Sequence, residues 1–429
     1  MLRYAPGSPR PVTLLERPRS RRLLFAALYF TEGAPIGFLW WALPAILRER
    51  GGPVEAIGAL LAVLVLPWGF KFLWAPLIDV LATSPRGLAA WIAAAQGAMA
   101  LSLLPLIGLD PERLFGAVAL LLVLHALAAA TQDVAIDALA IRSTPPGERG
   151  SLNGWMQAGM LLGRGLFGGG ALIALEQVGD RALILALVGL SLASATAVLV
   201  LGRGFPGPAP GRARRSPDAR WRAFGGRLKR VLAARSTRLG LAFALLGGAG
   251  FEAVGGLASP FLVDSGFGTA EIGRFFALPA VACTGAGALL GGRLADRLGH
   301  RRAVVGAAVA VAACIGLLSA AASGGLPHAW LWGALAALYV GIGGFTVASY
   351  ALFMDLCDPA LGGTQFSAFM GATNLCESWS VLAAGYLTAA LGYPTAFAAL
   401  AAAALLALPD LRRVEGGARG PAPPPGDPH

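Results

Sequence analysis

The chain has 429 residues, of which 56% are hydrophobic and 13% are charged, and its formal net charge is +11. This composition excludes an ordinary soluble protein, in which about a quarter of the residues are charged, and is typical of a membrane protein. The positive charge does not indicate a nucleic-acid partner, because the basic residues lie in particular loops and no DNA- or RNA-binding motif is present.

Twelve apolar stretches are each long enough to cross a bilayer, which takes about 20 residues. They lie at 23–47, 57–82, 88–108, 114–141, 151–175, 182–201, 239–263, 271–295, 303–323, 329–354, 364–390 and 394–411. The sequence therefore predicts an all-α membrane protein with twelve transmembrane helices in two six-helix bundles, at 23–201 and 239–411. We expect a cytoplasmic arm at 1–22 and a disordered tail at 412–429.

A polar segment at 202–238 separates the two predicted bundles and carries eleven basic residues against one acid, Asp218. Its first part is rich in proline and glycine, which is typical of a flexible linker. From Asp218 onward, apolar residues recur near helical spacing between basic ones. This part fits either an amphipathic helix on an anionic membrane surface or a solvated basic loop.

The positions of arginine and lysine predict the orientation of the chain. With a cytoplasmic N-terminus, 27 of the 34 basic residues fall in inner segments and four in outer loops. The remaining three, Lys71, Arg164 and Arg274, fall inside predicted spans. By the positive-inside rule, both termini and the linker are cytoplasmic.

The two halves also repeat weakly. Pro44 is followed eleven residues later by Glu55, and Pro260 is followed eleven residues later by Glu271. Both pairs lead into the second span of their half. The pattern predicts an internal duplication, and the alternative is chance resemblance between helices rich in alanine, leucine and glycine.

One inner loop carries a recognisable motif, GGRLADRLGHRR at 291–302. Gly292 would let a neighbouring helix approach closely, and Asp296 would accept hydrogen bonds from a helix N-terminus. Arg297, Arg301 and Arg302 would pair with acids across the interface between the halves. Remaking such contacts would bias inward-facing against outward-facing states. The alternative is an ordinary basic inner loop.

This loop resembles the signature loop of the major facilitator superfamily, and further strings resemble one branch of that superfamily. The branch includes AmpG-type muropeptide permeases, acetyl-CoA transporters and RhtX/FptX-type siderophore importers. The strings are YFTEGAPIG (29–37), KFLWAPLID (71–79), ATQDVAID (130–137), ERG (148–150) and GTQF (363–366). ALPAILRERG (42–51) looks most like the siderophore importers.

The resemblance implies a secondary transporter of a bacterial inner membrane, whose two halves rock around a central site. It also implies that the loop at Asp79 and the helix end at Asp137 and Arg142 belong to the conformational switch, as the 291–302 loop does. The sequence departs from the branch after Asp79, where a basic run is reduced to Arg86.

Ionisable residues inside the spans are candidates for the central site. Each costs about 3 kcal/mol at the bilayer centre on insertion scales unless it has a partner or water. Glu32, Lys71, Arg164, Glu252 and Glu377 fall near mid-span. The acid Asp133 lies about a turn and a half nearer the cytoplasm.

The near-central acids outnumber the bases, so at least one acid is expected to be unpaired and protonatable. Desolvation favours the neutral form of a carboxyl group. The proton-coupling candidates are therefore Glu32, Glu252, Asp133 and Glu377, with Glu32 and Glu252 preferred because spans 1 and 7 line the cavity in this fold.

Arg164 is the predicted anchor for an anionic group of the solute, because its fork of donors binds such groups strongly. Lys71 and three amides that could line a polar cavity, Gln132, Gln157 and Asn374, are further candidates. The alternative is structural: Arg164 with Asp133, and Lys71 with Asp79, would be ion pairs that only set packing. Trp40 and Trp41 are expected to anchor the outer membrane interface.

The leading prediction is a secondary transporter that moves a polar or anionic solute by alternating access, with proton coupling. A siderophore-like solute is favoured, and a muropeptide or acyl-CoA-type solute is the alternative. The expected partners are the lipid bilayer, the solute and protons. We expect a monomer that is not an enzyme and that needs no cofactor, metal or nucleic acid. A membrane-embedded transferase and a non-transporting sensor are the other classes that stay open.

Overall fold

The computed structural model describes most of the apolar chain. The described residues are 15–75, 77–78, 87–109, 114–145, 148–202, 205, 225–226, 229, 233–323, 327–357 and 362–409. These ranges form helices and short connections, with no β-strand among them. The predicted tail, most of the linker and most of the N-terminal arm lie outside the described residues.

Six helices form the first half of the molecule. They are α1 (Pro18–Glu49), α2 (Val54–Leu73), α3 (Gly87–Ile107), α4 (Phe115–Ser143), α5 (149–178) and α6 (180–201). The last two join at Gly179, whose φ of 71° and ψ of 162° break the helical run. A side chain is disfavoured at this φ, so glycine suits the turn.

The second half repeats the same order of helices. They are α7 (Arg235–Asp264), α8 (Thr269–Leu298), α9 (His300–Ala322), α10 (His328–Leu356), α11 (Gly362–Leu391) and α12 (Tyr393–Leu405). The described part of the chain thus has a helix at each of the twelve predicted positions, and α12, at 13 residues, is shorter than the stretch predicted at 394–411. Among the described residues, one difference lies in α2, which the sequence predicts as a single span to residue 82. Its α-helix ends at Phe70, three residues after Pro67, and a 3₁₀ turn at Lys71–Leu73 follows.

Helix pairing confirms the predicted duplication. In the first half, α1 packs against α5, and α3 packs against both α4 and α6. In the second half, α7 packs against α11, and α9 packs against both α10 and α12. Each pair in one half therefore has its counterpart six helices later in the chain.

The two halves meet along α2 with α11 and along α5 with α8. Gly169 on α5 lies so close to Gly273 and Ala277 on α8 that a side chain could not be accommodated. Further along the same face of α5, Gly154 and Ala158 are exposed, and no neighbouring atom lies within 4 Å of a Cβ built at Gly154. Helices α5 and α8 therefore touch at one end of the bundle and separate at the other.

We call the closed end, which carries the α1–α2 and α7–α8 loops, the outer end, in keeping with the predicted topology. Here Arg48 of the first half donates to Asp264 of the second half at 2.7 Å, and Tyr393 donates to the same carboxylate at 2.8 Å. Trp41 stacks on Phe276 with ring centroids 5.1 Å apart.

The prediction that Trp40 and Trp41 anchor the membrane interface is wrong. Trp41 is buried between the halves, and its carbonyl accepts a hydrogen bond of 2.8 Å from Ser259. Trp40 also points to the second half, where its indole N–H donates to Glu377 at 2.5 Å. Aromatic rings close the outer end of the bundle because they fill the space between two apolar helix faces.

Candidate solute and proton site between the halves

Helix α5 presents three distinct faces along its inner half. One is buried against α1 and consists of Leu152, Met156, Gly159 and Gly163. A second is exposed and apolar, with Trp155, Leu162 and Leu166 at intervals of seven and four residues. Because an exposed apolar face of a membrane helix contacts lipid, this second face indicates the hydrocarbon side.

The third face of α5 is polar and carries Asn153, Gln157 and Arg164. Their spacing of four and seven residues puts them on one side of the helix. Asn153 and Gln157 are exposed, and Arg164 is half-buried. Since lipid lies on another face, these polar groups line the space that opens between α5 and the second half toward the inner end.

Arg164 lies where the two halves meet, directly before the closed part of α5, in which Gly165 lies against Ala277 of α8. A side chain at Gly37 would collide with the Arg164 backbone, so α1 holds α5 closely at this level. Among the described residues, Arg164 forms no ion pair, and its buried Nε atom has no hydrogen-bond partner. It is within electrostatic reach of Glu32, Glu252 and Glu377.

The first half contributes a set of paired groups on α1, α2 and α4. Lys71, at the start of the 3₁₀ turn that ends α2, pairs with Asp133. One turn further along α4, Asp137 accepts a hydrogen bond of 2.6 Å from Tyr29. The structure therefore pairs Asp133 with Lys71 and not with Arg164, which corrects the alternative pairing considered above. The other suggested partner, Asp79, lies outside the described residues.

Two polar side chains in this set have unsatisfied atoms. Glu32 is 2% exposed, and its Oε2 atom has no hydrogen-bond partner among the described residues. Gln132 is fully buried, and neither atom of its amide has a partner there. Buried polar groups are nearly always hydrogen-bonded, so these atoms are available to water, a proton or a solute.

The second half contributes two acids, Glu252 on α7 and Glu377 on α11. Both are half-buried, and each interacts electrostatically with Arg164 across the interface. Glu377 is held by Trp40, which belongs to the π-helical turn Phe38–Ala42 of α1. A π-helical turn inserts one extra residue into a helix and is frequent at functional sites.

Asn374 lies on α11, one turn before Glu377, and is half-buried. Electrostatic interactions link the six charged candidates, which are Glu32, Lys71, Asp133, Arg164, Glu252 and Glu377. The three amide candidates, Gln132, Gln157 and Asn374, lie on α4, α5 and α11. Their roles in binding remain predictions.

The predicted switch loop between α8 and α9 differs in detail from expectation. Gly291 is the residue that packs tightly, against the backbone of Gly344 on α10, whereas a Cβ at Gly292 would make an ordinary contact of 3.6 Å with Val347. The motif identified the right turn but the wrong glycine.

The charged residues of that loop, Asp296, Arg297, Arg301 and Arg302, are exposed. None of the four forms an ion pair with a described residue, so the predicted contacts across the halves are not made in this conformation. At this end, His300 instead lies 2.5 Å from Asp355 at the end of α10.

The inner end of the first half contains a contact that sequence reasoning missed. Arg21 is 4% exposed, and it pairs with Glu148 at 2.5 Å and donates to the backbone of Leu15 at 2.8 Å. It therefore joins the start of α1 to the turn between α4 and α5. Arg142, at the end of α4, is half-buried in the same region.

Comparison with known proteins agrees with this architecture. The chain matches the sequence profile described as Major Facilitator Superfamily over residues 25–381. It is similar to the anhydromuropeptide permease of Escherichia coli strain K12, 27% identical over 417 residues, which cover 93% of this chain and 80% of that protein. It is also similar to a putative transporter, AmpG 4, of Rickettsia conorii, 24% identical over 392 residues, which cover 85% and 89% of the two chains.

Among solved structures, the crystal structure of a D-xylose–proton symporter is similar in fold. Its TM-score is 0.73 at 12% identity, and the alignment covers 91% of this chain and 96% of that chain. At such low identity, the similarity supports the fold alone.

Proposed function

Because this chain belongs to the major facilitator superfamily, we propose that it is a proton-coupled secondary transporter of an anionic solute of the anhydromuropeptide type. The observation that carries the proposal is Arg164. Its guanidinium lies between the halves with no ion pair to a described residue and within electrostatic reach of three carboxylates from both halves.

Arg164 supports an anionic solute because a guanidinium binds a carboxylate or phosphate through two parallel hydrogen bonds. A solute carboxylate and the protein's own carboxylates compete for this one cation. When the solute occupies Arg164, Glu252 and Glu377 lose the compensation that its positive charge gives them and are best accommodated with a proton. Binding of the anion and binding of a proton therefore favour each other.

The substrate class follows from the relatives and from the charges of the site. The Escherichia coli relative carries the name of an anhydromuropeptide permease, and a muropeptide contains peptide carboxylates that Arg164 could bind. Its sugars and amides could bind Gln157, which is exposed on α5, and Asn374, which is half-buried on α11. The siderophore prediction has no support from the relatives named above.

The proposal is tested by following protons and solute together in proteoliposomes that contain a pH-sensitive dye. Addition of an anhydromuropeptide outside, without an imposed gradient, should acidify the interior as the labelled solute enters. A ferric siderophore and an acyl-CoA, supplied in the same way, should cause neither effect.

Two outcomes would overturn separate parts of the proposal. If labelled anhydromuropeptide accumulates without acidification, proton coupling is wrong. If the siderophore or the acyl-CoA acidifies the interior and the anhydromuropeptide does not, the substrate class is wrong. The variant Glu176→Gln, which changes an exposed glutamate outside the site, controls for effects of reconstitution.

A further inference from the structure

A cavity lies within the first half, at its outer end, and has a volume of about 420 Å³. It is lined by α1, α3, α4 and α6 and open at one side, whereas the site around Arg164 lies between the two halves. Its lining is mostly apolar and includes the buried side chains of Phe38, Ile46, Leu122 and Ile184.

A cavity of this size and character is not expected to stay empty. Protein interiors pack densely and contain few voids larger than a water molecule. An apolar cavity of about 150 Å³ already binds benzene and excludes water, and this cavity is several times larger. Leu122 is seven residues from the start of α4 at Phe115, so the cavity reaches about 10 Å down that helix. At this depth, the abundant apolar molecule is lipid.

The mouth of the cavity is charged, unlike its walls. Arg50 donates to Asp180 at 2.6 Å, so these two residues neutralise each other. Arg181, also at the mouth, is exposed and forms no ion pair with a described residue. Among the described residues at the mouth, one positive charge is therefore in excess, at the level where the headgroups of a bilayer begin.

The helices beside the mouth show that hydrocarbon reaches it. Leu104 on α3 and Leu114 and Phe115 at the start of α4 are exposed to 40%, 47% and 36%. Exposed apolar residues at a helix end within a membrane protein contact acyl chains. Acyl chains of the surrounding bilayer therefore lie beside the mouth of the cavity.

We propose that this cavity binds one acyl chain of an anionic phospholipid from the outer leaflet, with the phosphate held by Arg181. The proposal is independent of the transported solute. Phe38 belongs to the same π-helical turn as Trp40 and Trp41, so the bound chain packs against the turn that closes the outer end of the bundle.

The test uses the full-length protein, delipidated in detergent and titrated with phosphatidylglycerol or phosphatidylcholine, with bound lipids counted by native mass spectrometry. The wild type should retain one phosphatidylglycerol in preference to phosphatidylcholine. Arg181→Gln should weaken phosphatidylglycerol binding about fivefold, since one basic residue near the surface contributes about 1 kcal/mol, and should leave phosphatidylcholine binding unchanged.

Filling the cavity provides the second part of the test. Leu122→Trp should abolish retention of either lipid, and Ile184→Phe, a smaller change nearer the mouth, should reduce it. Val309→Trp adds the same ring at an exposed position of the second half and should leave retention unchanged. If Leu122→Trp and Ile184→Phe retain as much lipid as the wild type, or if the wild type binds both lipids equally, the proposal is wrong.

Discussion

The two halves of the molecule hold their buried charge in different ways. In the first half, Lys71 pairs with Asp133 and Tyr29 donates to Asp137. In the second half, Glu252 and Glu377 form no ion pair with a described residue. Their nearby positive charge is Arg164, which belongs to the first half.

We infer from this difference that two bundles of the same topology have different roles in the conformational change. The paired charges of the first half are satisfied within that half, so they can keep their arrangement when the halves move. The acids of the second half depend on a group across the interface, so their environment changes whenever the halves separate. A site that changes with conformation is the one suited to bind and release a proton.

The largest expected effect comes from removing the shared cation. Arg164→Gln should reduce uptake of an anhydromuropeptide about 100-fold, because loss of one partner of a buried charge pair costs about 3 kcal/mol. Initial uptake rates in proteoliposomes measure this. Arg274→Gln, which changes an exposed arginine on α8, should have little effect. Equal losses in the two variants would remove Arg164 from the site.

The next largest effect concerns the ion pair of the first half. Lys71→Met leaves Asp133 without its partner and should lower the free energy of unfolding by about 3 kcal/mol, the lower end of the range for a buried pair. The lower end applies because a quarter of the Lys71 side chain is exposed.

The double variant Lys71→Met with Asp133→Asn should recover most of this stability, because the uncompensated charge is gone. Thermal unfolding in detergent compares the single and double variants. If the double variant is no more stable than Lys71→Met, the pair does not act as a closed structural unit.

A smaller effect is expected for the hydrogen bond that reaches across the halves. Trp40→Phe removes the donor to Glu377, and a hydrogen bond to a charged group contributes about 1.5 kcal/mol. The equilibrium between conformations with a closed and an open outer end should therefore shift about tenfold toward the open one. Electron-spin distances between labels at Glu49 and Gly268, on the two outer loops, measure this opening. Trp330→Phe, at an exposed tryptophan, should give the wild-type distances, and identical distances in Trp40→Phe would contradict the prediction.

The smallest effect is expected at the outer ion pair. The side chains of Arg48 and Asp264 are 27% and 28% exposed, and such pairs contribute about 0.5 kcal/mol. Arg48→Gln should therefore raise the ratio of open to closed conformations about twofold, as measured by the same label distances. At about 1 M salt the wild type and the variant should become equal, because the Debye length falls to about 3 Å. A difference that persists at high salt would mean that packing, not charge, closes this end.

The fold could be predicted from the sequence because each bilayer span is a long apolar run. Such a run can be recognised from its own residues, without knowing which helices lie beside it. The central acids and Arg164 could be found for the same reason, since a charge in such a run is costly wherever it points. The matched positions of Pro44 and Pro260 indicated the duplication. These signals all lie along single segments of the chain.

The partners of the charged groups could not be predicted, because they join distant segments. Lys71 and Asp133 are 62 residues apart, and Trp40 and Glu377 are 337 residues apart. Which side chains meet depends on how each helix is rotated about its axis, and a sequence motif does not specify this rotation. For the same reason, the sequence analysis assigned the close helix contact to Gly292, whereas the structure has it at Gly291.

The central claim is that Glu252 and Glu377 carry the proton that drives accumulation. It is tested most directly by comparing uphill uptake with solute exchange in Glu252→Gln/Glu377→Gln, reconstituted with an anhydromuropeptide. We predict that the variant exchanges labelled for unlabelled solute at a rate close to that of the wild type, but no longer accumulates solute when the outside is acidic. Accumulation at the wild-type level in this variant would contradict the claim.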